Sequence, residues 1–92
     1  MATAREDLVR LMKRLRSRDI QVAEFCEQYE PIWNFELQEA DLAEGEAAIF
    51  ERVFNVVAWY NPFPEERETY SGFKSEAAVA GAVAEALENL AE

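Results

Sequence analysis

Apolar residues recur at helical spacing in four separate segments of this 92-residue chain, and this recurrence constrains the fold more than any other feature. In the first segment, Leu8, Leu11, Met12 and Leu15 form one apolar stripe of a helix predicted over residues 4–16. No segment shows the alternation that is typical of a strand. The sequence therefore predicts one all-α domain over residues 1–92, folded as an antiparallel four-helix bundle.

The second helix is predicted to begin near Gln21. Ile20 and Phe25 stand at the spacing of a hydrophobic staple, in which the residue before the cap packs on the fourth helical residue. Pro31 is expected to bend or end this helix, and Glu30 before it to leave helical angles. The apolar flank that carries Cys26 indicates a buried and inert thiol.

The third and fourth helices are predicted over residues 44–60 and 75–90. Ser75 is a suitable N-cap for the last helix. Gly81 lies inside that helix, where glycine lowers helicity, and we interpret it as the mark of a close helix contact. The residues expected to be buried together are Leu11, Phe25, Phe50, Phe54, Val57, Val83 and Leu87.

The segment between the last two helices, "AWYNPFPEERETY", combines two prolines and four aromatic residues with several glutamates. A connection of about a dozen residues is long for a small bundle, and such loops are usually functional or disordered. Because Pro62 and Pro64 restrict the backbone and aromatic rings can anchor it, the sequence predicts a long ordered loop. Such a loop would serve as a binding surface.

The charge is unevenly distributed along the chain. Residues 1–18 carry six bases and two acids, whereas the rest carries three bases and seventeen acids. Ten acids and no base occur from residue 19 to residue 51. This distribution repels nucleic acid and attracts basic partners, although a solvated acidic surface that aids solubility is the simpler interpretation.

Several function classes are disfavoured by composition. Histidine is absent, Cys26 is the single cysteine, and no glycine-rich phosphate loop is present. We therefore predict no catalytic, cofactor-binding or metal-binding residues, and a carboxylate enzyme remains a third hypothesis. No apolar run is long enough to span a membrane and residues 1–10 do not resemble a signal peptide, so we expect a cytoplasmic protein without membrane partners.

The order of these features resembles the colicin D-type, or self-protective colicin-like, immunity proteins. The resemblance begins at "LVRLMKRLRSRDIQVAEFCEQYE", where a short amphipathic helix and a polar break precede the pair Glu24-Phe25. It is closest at "FERVFNVVAWYNPFPEERETYSGFKSEAAVAGAVAEAL". There, a phenylalanine-bearing helix leads to an aromatic and proline turn with acids and an arginine, then to a last helix of small residues.

The resemblance implies a four-helix bundle that binds the basic nuclease domain of a bacterial toxin, such as one that cleaves transfer RNA. The acids of the inhibitor would stand in for RNA phosphates in the toxin's cleft. Acids and aromatic rings from the loop and from the base-free stretch form the predicted toxin-binding surface: Glu65, Glu66, Glu68, Trp59, Tyr60, Phe63, Glu36, Glu39 and Asp41.

A different class of function is also compatible with the sequence. Trp33, Phe35, Trp59 and Phe63 exceed what so small a core requires, and they could form a self-association patch. The alternative is a helical interaction or dimerisation module that has no toxin partner and forms a weak homodimer. The simplest interpretation of Trp59 and Tyr60 is that they cover the end of the core.

Overall fold

A computed structural model of the protein describes residues 3–38, 42–61, 63, 65 and 74–91. Four α-helices run over Ala4–Arg16 (α1), Val22–Pro31 (α2), Glu46–Ala58 (α3) and Glu76–Asn89 (α4). A π-helical turn, Ile32–Glu36, continues α2 and is called the π-turn below. The described residues include no strand, only an isolated bridge between Tyr60 and Lys74. The prediction of an all-α, four-helix fold is confirmed.

The helices form a closed ring in which α1 and α3 each contact both α2 and α4. Arg5 at the start of α1 binds Glu46 at the start of α3, so these two helices begin at the same end. The end of α3 is bridged to Lys74, two residues before α4, and therefore α4 runs back along α3. Within the described residues, no helix is both long and apolar enough to cross a membrane.

Helix α1 has the predicted bounds and a complete set of caps. The Thr3 hydroxyl accepts a hydrogen bond from the Glu6 amide at 3.2 Å. At the other end, the Asp19 amide donates to the Arg14 carbonyl and the Arg18 amide to the Leu15 carbonyl, the two bonds of a Schellman motif. Arg18 occupies the left-handed position of that motif with φ 63°, a conformation that favours glycine.

Helix α2 ends as an α-helix at Pro31, as predicted, but Glu30 stays helical, contrary to prediction, and the chain continues into the π-turn. The α-helix continues through Glu30 and Pro31, and the π-turn then closes with a bond from the Leu37 amide to the Ile32 carbonyl at 2.9 Å. Proline removes one backbone donor, but Ile32 and Trp33 beyond it pack partly buried against the core. Continuing the helical path keeps that packing, which offsets the missing hydrogen bond.

Helices α3 and α4 are shorter than predicted by one to two residues at each end. Gly45 precedes α3 with φ 86°, so the chain enters this helix through a left-handed residue. The Ser75 hydroxyl accepts from the Ala78 amide at 3.2 Å, which confirms the predicted cap of α4. The prediction for Gly81 is wrong: a Cβ built there would meet no atom within 4 Å.

The core lies inside the ring of helices. Phe25, Tyr29 and Phe50 are its largest fully buried side chains, and burying a ring of this size contributes about 1.5–3 kcal/mol. The Tyr29 hydroxyl donates to the Phe50 carbonyl at 2.9 Å, and burial raises the pKa of this phenol above its ordinary value. Phe54 is only partly buried, contrary to prediction, because it faces Trp33 at the edge of the core. The other residues predicted to be buried are so: Leu11, Phe25, Phe50, Val57, Val83 and Leu87.

A two-pronged ion pair joins α1 to α3. The Arg5 Nε and Nη2 atoms donate to the two carboxylate oxygens of Glu46 at 2.9 and 2.8 Å. The Ala43 amide also donates to this carboxylate, at 2.9 Å. Chiefly through the Arg5 hydrogen bonds, this arrangement lowers the pKa of Glu46 to about 2. The pair shows that the basic α1 neutralises at least one acid of the base-free stretch.

Candidate protein-binding surface

Three large apolar side chains remain exposed in the described part of the chain. Phe35 is 86% exposed, Phe63 61% and Trp59 45%. Phe35 belongs to the π-turn, whereas Trp59 and Phe63 follow α3. Exposed rings of this size are the usual anchors of protein interfaces.

The π-turn exposes Phe35, while its neighbour Trp33 packs against the bundle. Trp33, two residues earlier, stacks on Phe54 of α3 with ring centroids 5.5 Å apart and an interplanar angle of 20°. The backbone bond from Leu37 to Ile32 closes the turn beyond Phe35. Because Trp33 and Leu37 are held on either side, the backbone at Phe35 loses little entropy when a partner covers the ring.

The loop after α3 is closed at its base. The Lys74 amide donates to the Trp59 carbonyl at 2.7 Å, and the Asn61 amide donates to the Lys74 carbonyl at 3.0 Å. The Asn61 side-chain oxygen accepts from the Phe63 amide at 2.8 Å, which forms an Asx-type turn. Trp59, Tyr60 and Phe63 are therefore positioned where the loop leaves the bundle.

The two predicted halves of the surface belong to neighbouring elements. The Trp33–Phe54 stack places the π-turn beside α3. Phe54 lies five residues before Trp59, and this spacing corresponds to a rise of about 7.5 Å along a helix. Trp59 therefore lies beyond the Trp33–Phe54 contact, just after the end of α3.

Of the predicted acids, Glu36 and Glu65 are exposed. Tyr60 is half-buried and packs against the core, which agrees with the simpler interpretation of this ring as a cover. The remaining predicted acids, Glu39, Asp41, Glu66 and Glu68, lie outside the described residues, as does most of the predicted ordered loop.

Phe35 is the residue that sequence reasoning underrated. The sequence pattern favours Phe35 only for self-association, although it is the most exposed large apolar residue described. The available signal was an aromatic residue beside Glu36 in a base-free stretch. That pattern does not separate it from Trp33, because the π-turn that turns the two rings differently has no sequence period of its own.

The described residues offer few groups for covalent or metal chemistry. No three His, Cys, Asp or Glu side chains among them are grouped as metal ligands. Cys26 is buried, and burial followed by the charge of Glu30 raises its thiol pKa to about 11. The thiol therefore stays protonated near neutral pH, where it is a weak nucleophile.

Comparisons with protein-family models, with curated proteins and with solved structures each gave no match. The function is therefore inferred from the residues of this chain and from the resemblance described above.

Proposed function

We propose that this chain is an immunity protein that binds and inhibits a ribonuclease toxin, of the class that cleaves transfer RNA. It would act in the cytoplasm, where toxin and RNA meet. The observation that carries the proposal is the exposed Phe35 on the π-turn. It stands directly beside Glu36, within residues 19–51, which carry ten acids and no base. This arrangement fits a basic partner that has an apolar pocket.

The acidic side chains accelerate the encounter with the toxin and orient the protein for binding. With a formal net charge of −10, the protein attracts a basic nuclease cleft over a distance of about one Debye length, roughly 8 Å at physiological salt. Such steering raises association rates towards about 10⁸–10⁹ M⁻¹s⁻¹ at low salt. Exposed Glu36 and Glu65 are the described members of this acidic surface.

The rings supply contact area that water cannot easily replace. Phe35, Trp59 and Phe63 are exposed in the unbound protein, so a partner gains the benefit of covering them. Interfaces usually depend on a few such residues, each worth about 2 kcal/mol or more on truncation. A stoichiometric inhibitor needs only this surface and no catalytic group.

The experiment is co-expression with the reading frame adjacent to this one in the source genome. The proposal predicts that this frame encodes a protein with a basic nuclease domain that arrests growth and cleaves transfer RNA. Co-expression of the parent chain should restore growth, and Phe35→Ala should protect less. Glu36→Lys/Glu65→Lys should also protect less, whereas Glu88→Lys, a charge reversal at the exposed far end of α4, should protect fully.

A second candidate function is self-association through the same rings, because three large apolar side chains are exposed in the described part of this small domain. Sedimentation velocity across a concentration series separates the two. Dimers that Phe35→Ala abolishes, without any growth protection by the parent, favour the interaction module. A monomer that protects favours the inhibitor.

A further inference from the structure

A groove of about 550 Å³ lies between the end of α1, the α1–α2 connection and the first half of α4. None of its lining residues belongs to the candidate protein-binding surface. Leu15, Ile20, Val22 and Val83 form its apolar part, and its volume lies within the range of small-molecule sites.

The α4 wall of the groove is unusually slim. Ala77, Ala80 and Ala84 recur at helical spacing along it, and Gly81 beside them has open space where a side chain would project. This wall extends over about two turns of helix. It provides length for an unbranched apolar chain but no side chain that divides the groove.

Arg18 gives one end of the groove a positive charge. Its backbone is left-handed, with φ 63°, at a position where glycine or asparagine is the usual choice. The Arg18 side chain makes no ion pair with a carboxylate in the described part of the chain. Arg18 is thus an arginine with a left-handed backbone that lines an apolar groove and pairs with no described carboxylate.

The other charges near the groove define what it can accept. Arg16 also lines it, and Glu76 lines it at the start of α4. On its other side, Arg18 borders a shallow depression with the acids Asp19, Glu24 and Glu27. Among the described residues that line the groove itself, two side chains are basic and one is acidic.

Two copies of this groove fit each other poorly. The groove is concave, and its rim carries no large exposed apolar side chain among the described residues, so two such grooves facing each other would leave a void. We propose that the groove binds a small amphiphilic carboxylate. Its apolar chain lies along Ala77, Ala80 and Ala84, and its carboxylate pairs with Arg18.

The test titrates decanoate, below its micelle concentration, into the ¹⁵N-labelled protein and follows amide shifts. We expect saturable one-to-one binding with shifts concentrated at residues 15–22 and 76–84. The neutral analogue 1-decanol should bind in the same place but more weakly. Arg18→Gly should weaken decanoate by about 5- to 10-fold, as loss of a charge-assisted contact does, and leave decanol unchanged.

Two variants complete the design. Ala91→Gly is the matched control for Arg18→Gly, because Ala91 also has a left-handed backbone, with φ 60°, but does not line the groove. It should leave decanoate binding unchanged. Ala80→Leu places a larger side chain in the groove at an exposed helical position and should abolish binding while helicity stays intact.

Several results would overturn the proposal. These are no saturation up to about 1 mM, the weak end of specific affinity, or equal affinity for decanoate and decanol. An Arg18→Gly variant that binds as the parent does would also overturn it. So would a concentration-dependent dimer that Ala80→Leu disrupts and decanoate does not, since the occupant would then be a second copy.

Discussion

Glu46 is an acid whose environment makes the stability depend on pH. Its pKa is lowered to about 2 by Arg5 and the Ala43 amide, so its ionised form stabilises the folded state above pH 4.5. That contribution is lost as the pH falls towards 2. Glu46→Gln should lower the free energy of unfolding at pH 7 by about 1–2 kcal/mol, and the difference from the parent should vanish near pH 2.

Urea unfolding at several pH values checks this prediction, with Glu85→Gln as control. Glu85 pairs with Arg52 at 3.1 Å, but both side chains are more than half exposed, so its loss should cost at most about 1 kcal/mol. A Glu46→Gln difference that persists unchanged at pH 2 would mean that the stabilisation does not come from the ionised carboxylate.

The glycines at 45 and 81 should respond to alanine in opposite directions. Gly45 has φ 86°, so Gly45→Ala forces a left-handed alanine and should destabilise by about 1–2 kcal/mol. Gly81 is helical with open space around it, so Gly81→Ala should stabilise by about 0.5–1 kcal/mol. Thermal unfolding of the two variants gives the signs directly. A destabilised Gly81→Ala variant would show that another group occupies that space.

The π-turn contains two aromatic rings with different roles: Trp33 packs against Phe54, and Phe35 is exposed. Trp33→Ala removes the stack on Phe54 and should destabilise by about 2–3 kcal/mol, less than a fully buried tryptophan would. Phe35→Ala should change stability by less than about 0.5 kcal/mol, since the ring is almost fully exposed. Equal losses in chemical denaturation would contradict this division and would remove Phe35 as a clean probe of binding.

How far the sequence predicts the elements depends on the range of the interaction that sets each one. The α1 stripe and the Ser75 cap are local, and both were predicted correctly. The end of the α-helix at Pro31 is also local, whereas the π-turn beyond it was not predicted, because tertiary packing of Ile32 and Trp33 decides the path there. The Arg5–Glu46 pair joins residues 41 apart, so no local pattern announces it. At the candidate surface, exposure of Phe35 likewise follows from the π-turn.

At the scale of the whole molecule, a closed ring of helices leaves two features unused by folding: the exposed rings with their acids, and the groove beside α4. Binding through the exposed rings and their acids should depend strongly on salt, because the acids accelerate association by electrostatic attraction. Raising the salt from about 0.05 to 0.5 M should slow association with a basic nuclease domain while dissociation changes little. Surface plasmon resonance resolves the two rates, and an association rate independent of salt would contradict electrostatic steering.

Inhibition of purified toxin is the most direct test of the proposed function. The toxin domain encoded by the adjacent reading frame is incubated with transfer RNA and increasing amounts of this protein. We expect cleavage to stop at one equivalent of the parent chain and of Glu88→Lys, while folded Phe35→Ala requires a larger excess. Cleavage that continues unchanged at a large excess of the parent chain would show that this protein does not inhibit the toxin.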